Sequence, residues 1–175
     1  MATLMLDALK NEGTHNISNI NSRWAKPLVN GAILVGGNLD NGLLVETDGY
    51  DTEGNLKCKV WEGVKPFYIV ETVVEEQLQQ DLGEYDYKNF YNAKGEIVRL
   101  FRPETGLRQE TSAFGKADAI TPTLGQSVVY NVADKKFVIG DTPATGTKVE
   151  VGVLVGIDTD FGYNAGAETI RIEYK

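Results

Sequence analysis

The stretch KVEVGVLVGID, residues 148–158, decides the fold that the sequence predicts. Its β-branched side chains fall on every second residue, which places them on one face of a single long strand. The stretch TIRIEY, residues 169–174, alternates in the same way after a glycine-containing turn. The sequence therefore predicts a β-hairpin with one buried face and one wet face. The buried ridge predicted for the first strand comprises Val149, Val151, Val153, Val155 and Ile157.

Turn signals divide the rest of the chain into short apolar segments. Asn30-Gly31 predicts a turn or bulge inside a strand, and Asp40-Asn41-Gly42 predicts a turn before the next one. We therefore predict a mainly β fold, an antiparallel sandwich or barrel of about eight to ten short strands. Residues 103–126 are rich in turn formers and are predicted to be loop. Besides the hairpin, the predicted strands are 28–35, 43–46, 56–61, 67–71, 97–101, 128–132 and 136–139.

One short helix is predicted at about 73–82. Thr72 can cap the amide of Glu75, and the Glu75 side chain can reach back to the amide of Thr72. Gly83 is placed to end the helix. Apolar residues at helical spacing follow the cap, so the helix should cover a sheet edge or the open end of a barrel.

The first 27 residues differ from the rest, because they are rich in Asn and Ser and show no strand pattern. We predict an N-terminal arm or extension over residues 1–27 and a single β domain over residues 28–175. The apolar side chains of the lead segment favour an arm that reaches a partner, and a frayed terminus is the alternative.

Charge and composition narrow the classes of partner. The chain has 175 residues and a formal net charge of −8, with its basic residues scattered, so we expect no nucleic-acid partner. No apolar run approaches the ~20 residues of a membrane span, and the N-terminus lacks a secretory pattern, so we expect no membrane partner. The single cysteine, Cys58, rules out an intrachain disulfide and fits a reducing cytoplasm.

The sequence offers no catalytic constellation. His15 is the only histidine, and Cys58 shares the predicted core face of its strand, so we expect neither a nucleophilic triad nor a zinc site. The acidic turns at 48–54 and 158–162 could hold an adventitious ion, but the first fails the EF-hand register. We therefore predict no catalytic residue, no cofactor and no metal.

Aromatic residues cluster between Tyr85 and Tyr91. Together with Trp24 and Trp61 they could form a sugar-stacking platform or a protein interface. Ordinary burial is the commoner explanation for large aromatic side chains, and the sequence leaves these alternatives open.

Three segments carry a resemblance to a known class of protein. They are PLVNGAILV at 27–35, GVKPFYIVET at 63–72 and VGVLVG at 151–156. They resemble segments of small capsid decoration, or auxiliary head, proteins of tailed phages that infect Gram-positive bacteria. The resemblance covers most of residues 27–175 and transfers no individual functional residue. It implies a protein that binds the major capsid protein and stabilises the shell.

The resulting hypothesis is a non-enzymatic capsid decoration protein. Its expected partners are the major capsid protein and further copies of itself, and its expected location is the capsid surface, with the host cytoplasm during assembly. The alternatives are another virion component, such as a tail or head-fibre protein, or a carbohydrate-binding β module. The predicted partner-binding residues lie in the arm and the aromatic segment: Leu4, Leu6, Leu9, Trp24, Tyr85, Tyr87 and Tyr91.

Overall fold

The computed structural model describes residues 18–20, 27–72, 90–158 and 168–175. Regular structure within these ranges is β-strand, which confirms the mainly β prediction. The predicted helix at about 73–82 lies outside the described residues. The strands are β1 (Ser18–Ile20), β2 (Pro27–Leu34), β3 (Leu44–Tyr50), β4 (Leu56–Val60), β5 (Tyr68–Val70), β6 (Ile97–Phe101), β7 (Arg108–Thr111), β8 (Phe114–Lys116), β9 (Ser127–Asn131), β10 (Lys136–Ile139), β11 (Lys148–Asp158) and β12 (Thr169–Tyr174).

These strands form two sheets. Five of them close into a barrel in the order β2-β4-β3-β5-β6, and seven form a second sheet in the order β1-β7-β12-β11-β9-β10-β8. Pairing is antiparallel except between β2 and β4 and between β8 and β10. The fold therefore combines the two predicted alternatives, since a barrel and a sheet pack together.

Nine strands were predicted, and the described residues contain three more: β1, β7 and β8. The prediction that residues 103–126 are loop is wrong where β7 and β8 lie, and β1 lies inside the segment predicted to have no strand. Each of the three has only three or four residues, too few for an apolar alternation to stand out. These three strands form because they pair with neighbouring strands, and their own sequences show no strand pattern.

The interior of the barrel, here called the barrel core, is filled by aliphatic side chains. Along β3 and β5, successive residues point to opposite faces, so Val45 and Val70 enter this core while Leu44 and Ile69 face the second sheet. Cys58 is fully buried here as predicted, and burial raises the pKa of its thiol to about 12. The barrel core comprises Ala32, Leu34, Leu39, Leu43, Val45, Cys58, Val70, Val98 and Leu100.

A second cluster, here called the interface core, joins the outer wall of the barrel to the seven-stranded sheet. Its aromatic side chains stack on one another, with ring centroids 4.7 Å apart for Trp61 and Phe67 and 5.0 Å apart for Tyr130 and Phe137. Such pairs add specific geometry to apolar burial. The residues from the sheet are Leu107, Val128, Tyr130, Phe137, Ile139, Val151, Leu154, Ile170, Ile172 and Tyr174.

The valine ridge predicted along β11 is interrupted. Val151 is buried, but Val153 is partly exposed, Leu154 is fully buried and Ile157 is 41% exposed. The β-bulge in the pairing with β9, between Glu150 and Gly152, moves the buried side chain from Val151 to Leu154, and a second bulge in the pairing with β12, between Leu154 and Gly156, places Ile157 opposite Ile170. A bulge adds one residue to a strand and so exchanges the two faces beyond it. The predicted hairpin is present, and only the first half of its ridge faces the core.

The bulge predicted at Asn30-Gly31 is confirmed. The register between β2 and β6 shifts between Asn30 and Ala32, and Gly31 has φ +147°. Few residues other than glycine adopt such a backbone conformation.

Candidate functional site

Of the seven predicted partner-binding residues, Tyr91 is the one that the structure describes. Its side chain is partly buried, next to the buried Asn92. Trp61, considered for a sugar platform, is 3% exposed and belongs to the interface core, so it supplies no stacking surface. The other six residues lie outside the described ranges: Leu4, Leu6, Leu9, Trp24, Tyr85 and Tyr87.

The two stretches of chain that flank residues 73–89 are tied to one side chain. The amide of Asn41 donates to the carbonyl of Thr72 at 2.8 Å, and its Oδ1 accepts the Thr72 N–H at 3.0 Å. Asn92 donates from Nδ2 to the same Asn41 Oδ1, also at 3.0 Å. Thr72 and Asn92, which lie on either side of residues 73–89, are therefore held together at a single place.

The backbone reinforces this tie. Leu39 and Asn92 form an isolated bridge with backbone hydrogen bonds of 2.8 and 2.9 Å, and Asn92 Nδ2 also donates to the Leu39 carbonyl. Asn41 and Asn92 are 6% and 0% exposed. Buried amides need partners, and the Asn41 amide and the Asn92 Nδ2 find theirs in each other and in the neighbouring backbone, whereas Asn92 Oδ1 is buried without a hydrogen-bond partner.

The next residue along, Gly42, contacts the predicted arm. Gln109 Nε2 donates to the Gly42 carbonyl at 2.8 Å and to Ser18 Oγ at 3.0 Å, while Tyr174 donates its hydroxyl to Gln109 Oε1 at 2.5 Å. A Cβ on Gly42 would lie 2.2 Å from Ser18 Oγ, so Ser18 packs where only glycine fits. Gln109 is fully buried, and the Gly42 carbonyl fixes its amide orientation, because a carbonyl can only accept and so requires the Nε2 side.

Glu71 completes the cluster. Its carboxyl accepts a hydrogen bond from the Ser18 hydroxyl, while its Oε2 is enclosed and has no hydrogen-bond partner. Burial raises the pKa of Glu71 to about 8, although the Ser18 hydroxyl acts in the opposite direction. Burial likewise raises the pKa of Tyr174 well above its usual range. The Glu71 carboxyl therefore holds a proton at neutral pH.

We call this set the junction: Ser18, Asn41, Gly42, Glu71, Thr72, Asn92, Gln109 and Tyr174. It joins β1, which follows residues 1–17, to the two ends of the segment 73–89. The sequence marked Asp40-Asn41-Gly42 only as a turn, because the contacts of Asn41 and Gly42 join residues 31 to 67 positions apart. Gln109, Glu110 and Thr111 are all buried on β7, and polar residues in so short a strand gave no sequence signal of that burial.

A groove of about 340 Å³ lies on the seven-stranded sheet, and its charges are balanced. Lys148 Nζ lies 2.7 Å from Asp141 Oδ2, and this contact lowers the pKa of the Asp141 carboxyl below its usual value. A general acid at neutral pH requires the opposite shift. The charged residues that line the groove are Lys116, Lys136, Lys148, Asp118, Asp134 and Asp141.

The acidic turn at 48–54 is held by its own carboxylate. Asp51 accepts hydrogen bonds from the backbone amides of Glu53 and Asn55 and from the Asn55 side chain, at 2.8–2.9 Å. These hydrogen bonds lower the pKa of Asp51. The described ranges contain no group of three or more candidate ligand side chains that could hold a metal ion. They also contain no helix long and apolar enough to cross a membrane.

Comparison with known proteins identifies the class and then the family. The chain is related to the SPbeta prophage-derived protein YonC of Bacillus subtilis (strain 168), with 28% identity over 180 residues that cover 99% of this chain and 98% of the relative. It is therefore a phage-derived protein. The chain belongs to the YonC prophage protein family, whose pattern matches residues 11–175. No solved structure matches it.

Proposed function

We propose that this protein is a non-enzymatic capsid decoration protein, which binds the major capsid protein of a phage and stabilises the shell. The observation that carries the proposal is the junction, where β1 and both ends of the segment 73–89 meet. Two segments that are distant in sequence are thereby attached at neighbouring points of the β body.

This arrangement suits attachment. The arm carries Leu4, Leu6, Leu9 and Trp24, and the aromatic segment carries Tyr85 and Tyr87. Because their roots adjoin, both segments can reach the same partner surface, and aromatic side chains dominate the energetics of most protein interfaces. A contact that is weak for one copy can hold on a shell through avidity when many copies also touch one another.

The charge of the chain supports an outer position. A net charge of −8 is repelled by packaged DNA, whereas the outside of a shell is free of it. The phage origin supports a virion role in general, and the resemblance of three segments to auxiliary head proteins supports the capsid in particular.

Binding to shells tests the proposal directly. Purified protein is mixed with expanded, undecorated shells of the phage that encodes it, and the mixture is sedimented. Stoichiometric co-sedimentation in many copies per shell supports decoration. Its absence contradicts decoration, and rings or fibres of the isolated protein in electron microscopy would then indicate a tail or head-fibre protein.

Two truncations locate the attachment surface. Deletion of residues 1–17 removes Leu4, Leu6 and Leu9 of the arm but leaves β1 and Trp24, so it should weaken shell binding without changing the β circular-dichroism signal. Deletion of residues 1–20 also removes β1, and it is the matched control for damage to the sheet edge. Equal shell binding by the full chain and by the 1–17 deletion would exclude residues 1–17 from attachment.

A further inference from the structure

The junction contains a carboxyl group in an unusual position. Glu71 lies directly after β5, and its Oε2 is enclosed without a hydrogen-bond partner. Among the described residues, burial and the Ser18 hydroxyl are the two causes of its pKa shift, and no cation there contributes to it. The site therefore tolerates the neutral carboxyl and opposes the charged one.

The groups that face Glu71 do not neutralise a charge there. On β12 and β9 lie the phenols of Tyr174 and Tyr130, and burial raises the pKa of each, so both stay neutral. On β6, the carbonyl of Arg99 accepts the Glu71 N–H at 3.0 Å, and the Arg99 guanidinium contributes nothing to the pKa shift of Glu71. Ser18 on β1 and the amide of Gln109 on β7 complete the polar surroundings.

β1 is the element of the junction whose displacement breaks the fewest contacts. It has three residues, lies at the edge of the seven-stranded sheet and pairs with β7 alone. Its Asn19 is exposed, and Ser18 and Ile20 are half-buried. Local opening concentrates in short elements with few buried contacts. Displacing Ser18 would open a path for water to the Glu71 carboxyl.

We propose that Ser18 and Glu71 form a proton-coupled latch, in which loss of the carboxyl proton releases β1 from the sheet edge. The latch holds while Glu71 is neutral, because Ser18 then closes the site over an uncharged group. Once Glu71 is ionised, opening exposes the carboxylate to water and is favoured. The latch is a property of the isolated protein and does not depend on binding to a shell.

Amide exchange of β1 measured by NMR against pH tests the latch. An open state with an ordinary glutamate pKa makes the opening constant rise by up to about tenfold per pH unit above pH ~4.5. The rise should level off near pH 8, where Glu71 in the closed state is itself ionised. Glu71→Gln should abolish the rise, because the amide keeps the shape and cannot ionise.

Two further measurements separate the latch from general instability. Ser18→Ala removes the hydroxyl that lowers the pKa of Glu71, so the levelling-off should move to higher pH. Cys58, the single cysteine and fully buried in the barrel core, reports global opening through its rate of thiol trapping, normalised to free cysteine. That normalised trapping rate should not rise with pH in the way that the opening constant of β1 does.

Three results would overturn the latch. A flat wild-type profile would show that Glu71 is already charged in the closed state. The same rise in Glu71→Gln would assign it to another group. A parallel rise in Cys58 trapping would show that the whole barrel opens together.

Discussion

Two glutamates of the barrel, Glu46 on β3 and Glu71 after β5, both have carboxyl oxygens shielded from water, in opposite surroundings. Glu46 is 1% exposed, and its Oε1 lies 3.3 Å from Lys65 Nζ and 3.6 Å from Lys59 Nζ. Its Oε2 accepts the amide of Glu62 at 3.3 Å. Among the described residues, the Glu71 carboxyl has the Ser18 hydroxyl as its partner, and no cation contributes to its pKa shift.

The two sites differ in the groups that surround the buried carboxyl. The Glu46 carboxyl on β3 lies between two lysine side chains, Lys59 of β4 and Lys65 of the loop after it, and so links β3 to both. A buried carboxyl without a cation is stable only with its proton, so its surroundings respond to pH. The responsive site is also the one where β1 and the aromatic segment are rooted.

The largest expected effect is on the pH dependence of unfolding. The pKa of Glu71 is about 8 in the folded protein and has a usual value of 4.5, so the folded state binds more protons between these values. Its contribution to stability is fully present below pH ~4.5 and is lost as pH rises toward 8, by up to ~1.4 kcal/mol per pH unit.

Urea unfolding of the wild type and of Glu71→Gln across pH 5–9 measures this effect. The difference between their free energies of unfolding should change with pH up to about pH 8 and then level off. Glu46→Gln, measured in parallel, provides the comparison at the paired site. Parallel wild-type and Glu71→Gln curves would show that Glu71 has an ordinary pKa.

The next effect concerns the glycine that abuts Ser18. Gly42→Ala places a Cβ 2.2 Å from Ser18 Oγ, at φ +78°. Gly49 has a similar φ of +70° and nothing within 4 Å of a Cβ, so Gly49→Ala is the matched control for backbone strain. Both variants should lose ~1–2 kcal/mol to strain, and Gly42→Ala should lose a further ~1–3 kcal/mol to the clash.

Thermal unfolding and exchange of the β1 amides compare these variants. Gly42→Ala should increase β1 exchange even at pH 5, where the latch is closed in the wild type. Gly49→Ala should leave β1 protected. Similar stability and similar β1 protection in the two variants would mean that Ser18 does not need the space above Gly42.

Sequence alone predicted the parts of this molecule in which local alternation persists. Cys58 was placed in the core because its apolar neighbours on β4 alternate with lysines, and Ile170 and Ile172 were placed there in the same way. The ridge of β11 failed beyond Val151, because bulges are set by the pairing of neighbouring strands and leave no mark in the hydrophobic pattern.

The junction could not be predicted for a related reason. Its hydrogen bonds join residues 31 to 91 positions apart, and each partner alone is an ordinary polar residue. Gln109 sits in the polar stretch of β7, which the sequence favoured as loop. All seven predicted partner-binding residues stay predictions, and six of them lie outside the described residues.

A smaller effect is expected at the paired glutamate. Glu46→Gln leaves Lys59 and Lys65 without the buried carboxylate, but their side chains are 27% and 55% exposed and remain hydrated. The expected loss is therefore ~1–2 kcal/mol, at the lower end for a buried charged partner. Denaturant unfolding of the variant and the wild type at pH 7 measures it. A loss above ~3 kcal/mol would mean that both lysines depend on this carboxylate.

The smallest effect is expected on the outer face of the seven-stranded sheet. Arg108 Nε lies 2.8 Å from Glu173 Oε2 across β7 and β12, with side chains 53% and 32% exposed. Water already solvates both charges, so Arg108→Ala should cost less than ~1 kcal/mol, and less still in high salt. Arg108 lies on β7 beside Gln109, so the variant also tests whether an exposed ion pair on this strand affects the buried hydrogen bonds of the junction. Denaturant unfolding at low and high salt, with β1 exchange at pH 6, measures both. A loss above ~2 kcal/mol, or an opened β1, would mean that the surface pair holds the strand on which the latch closes.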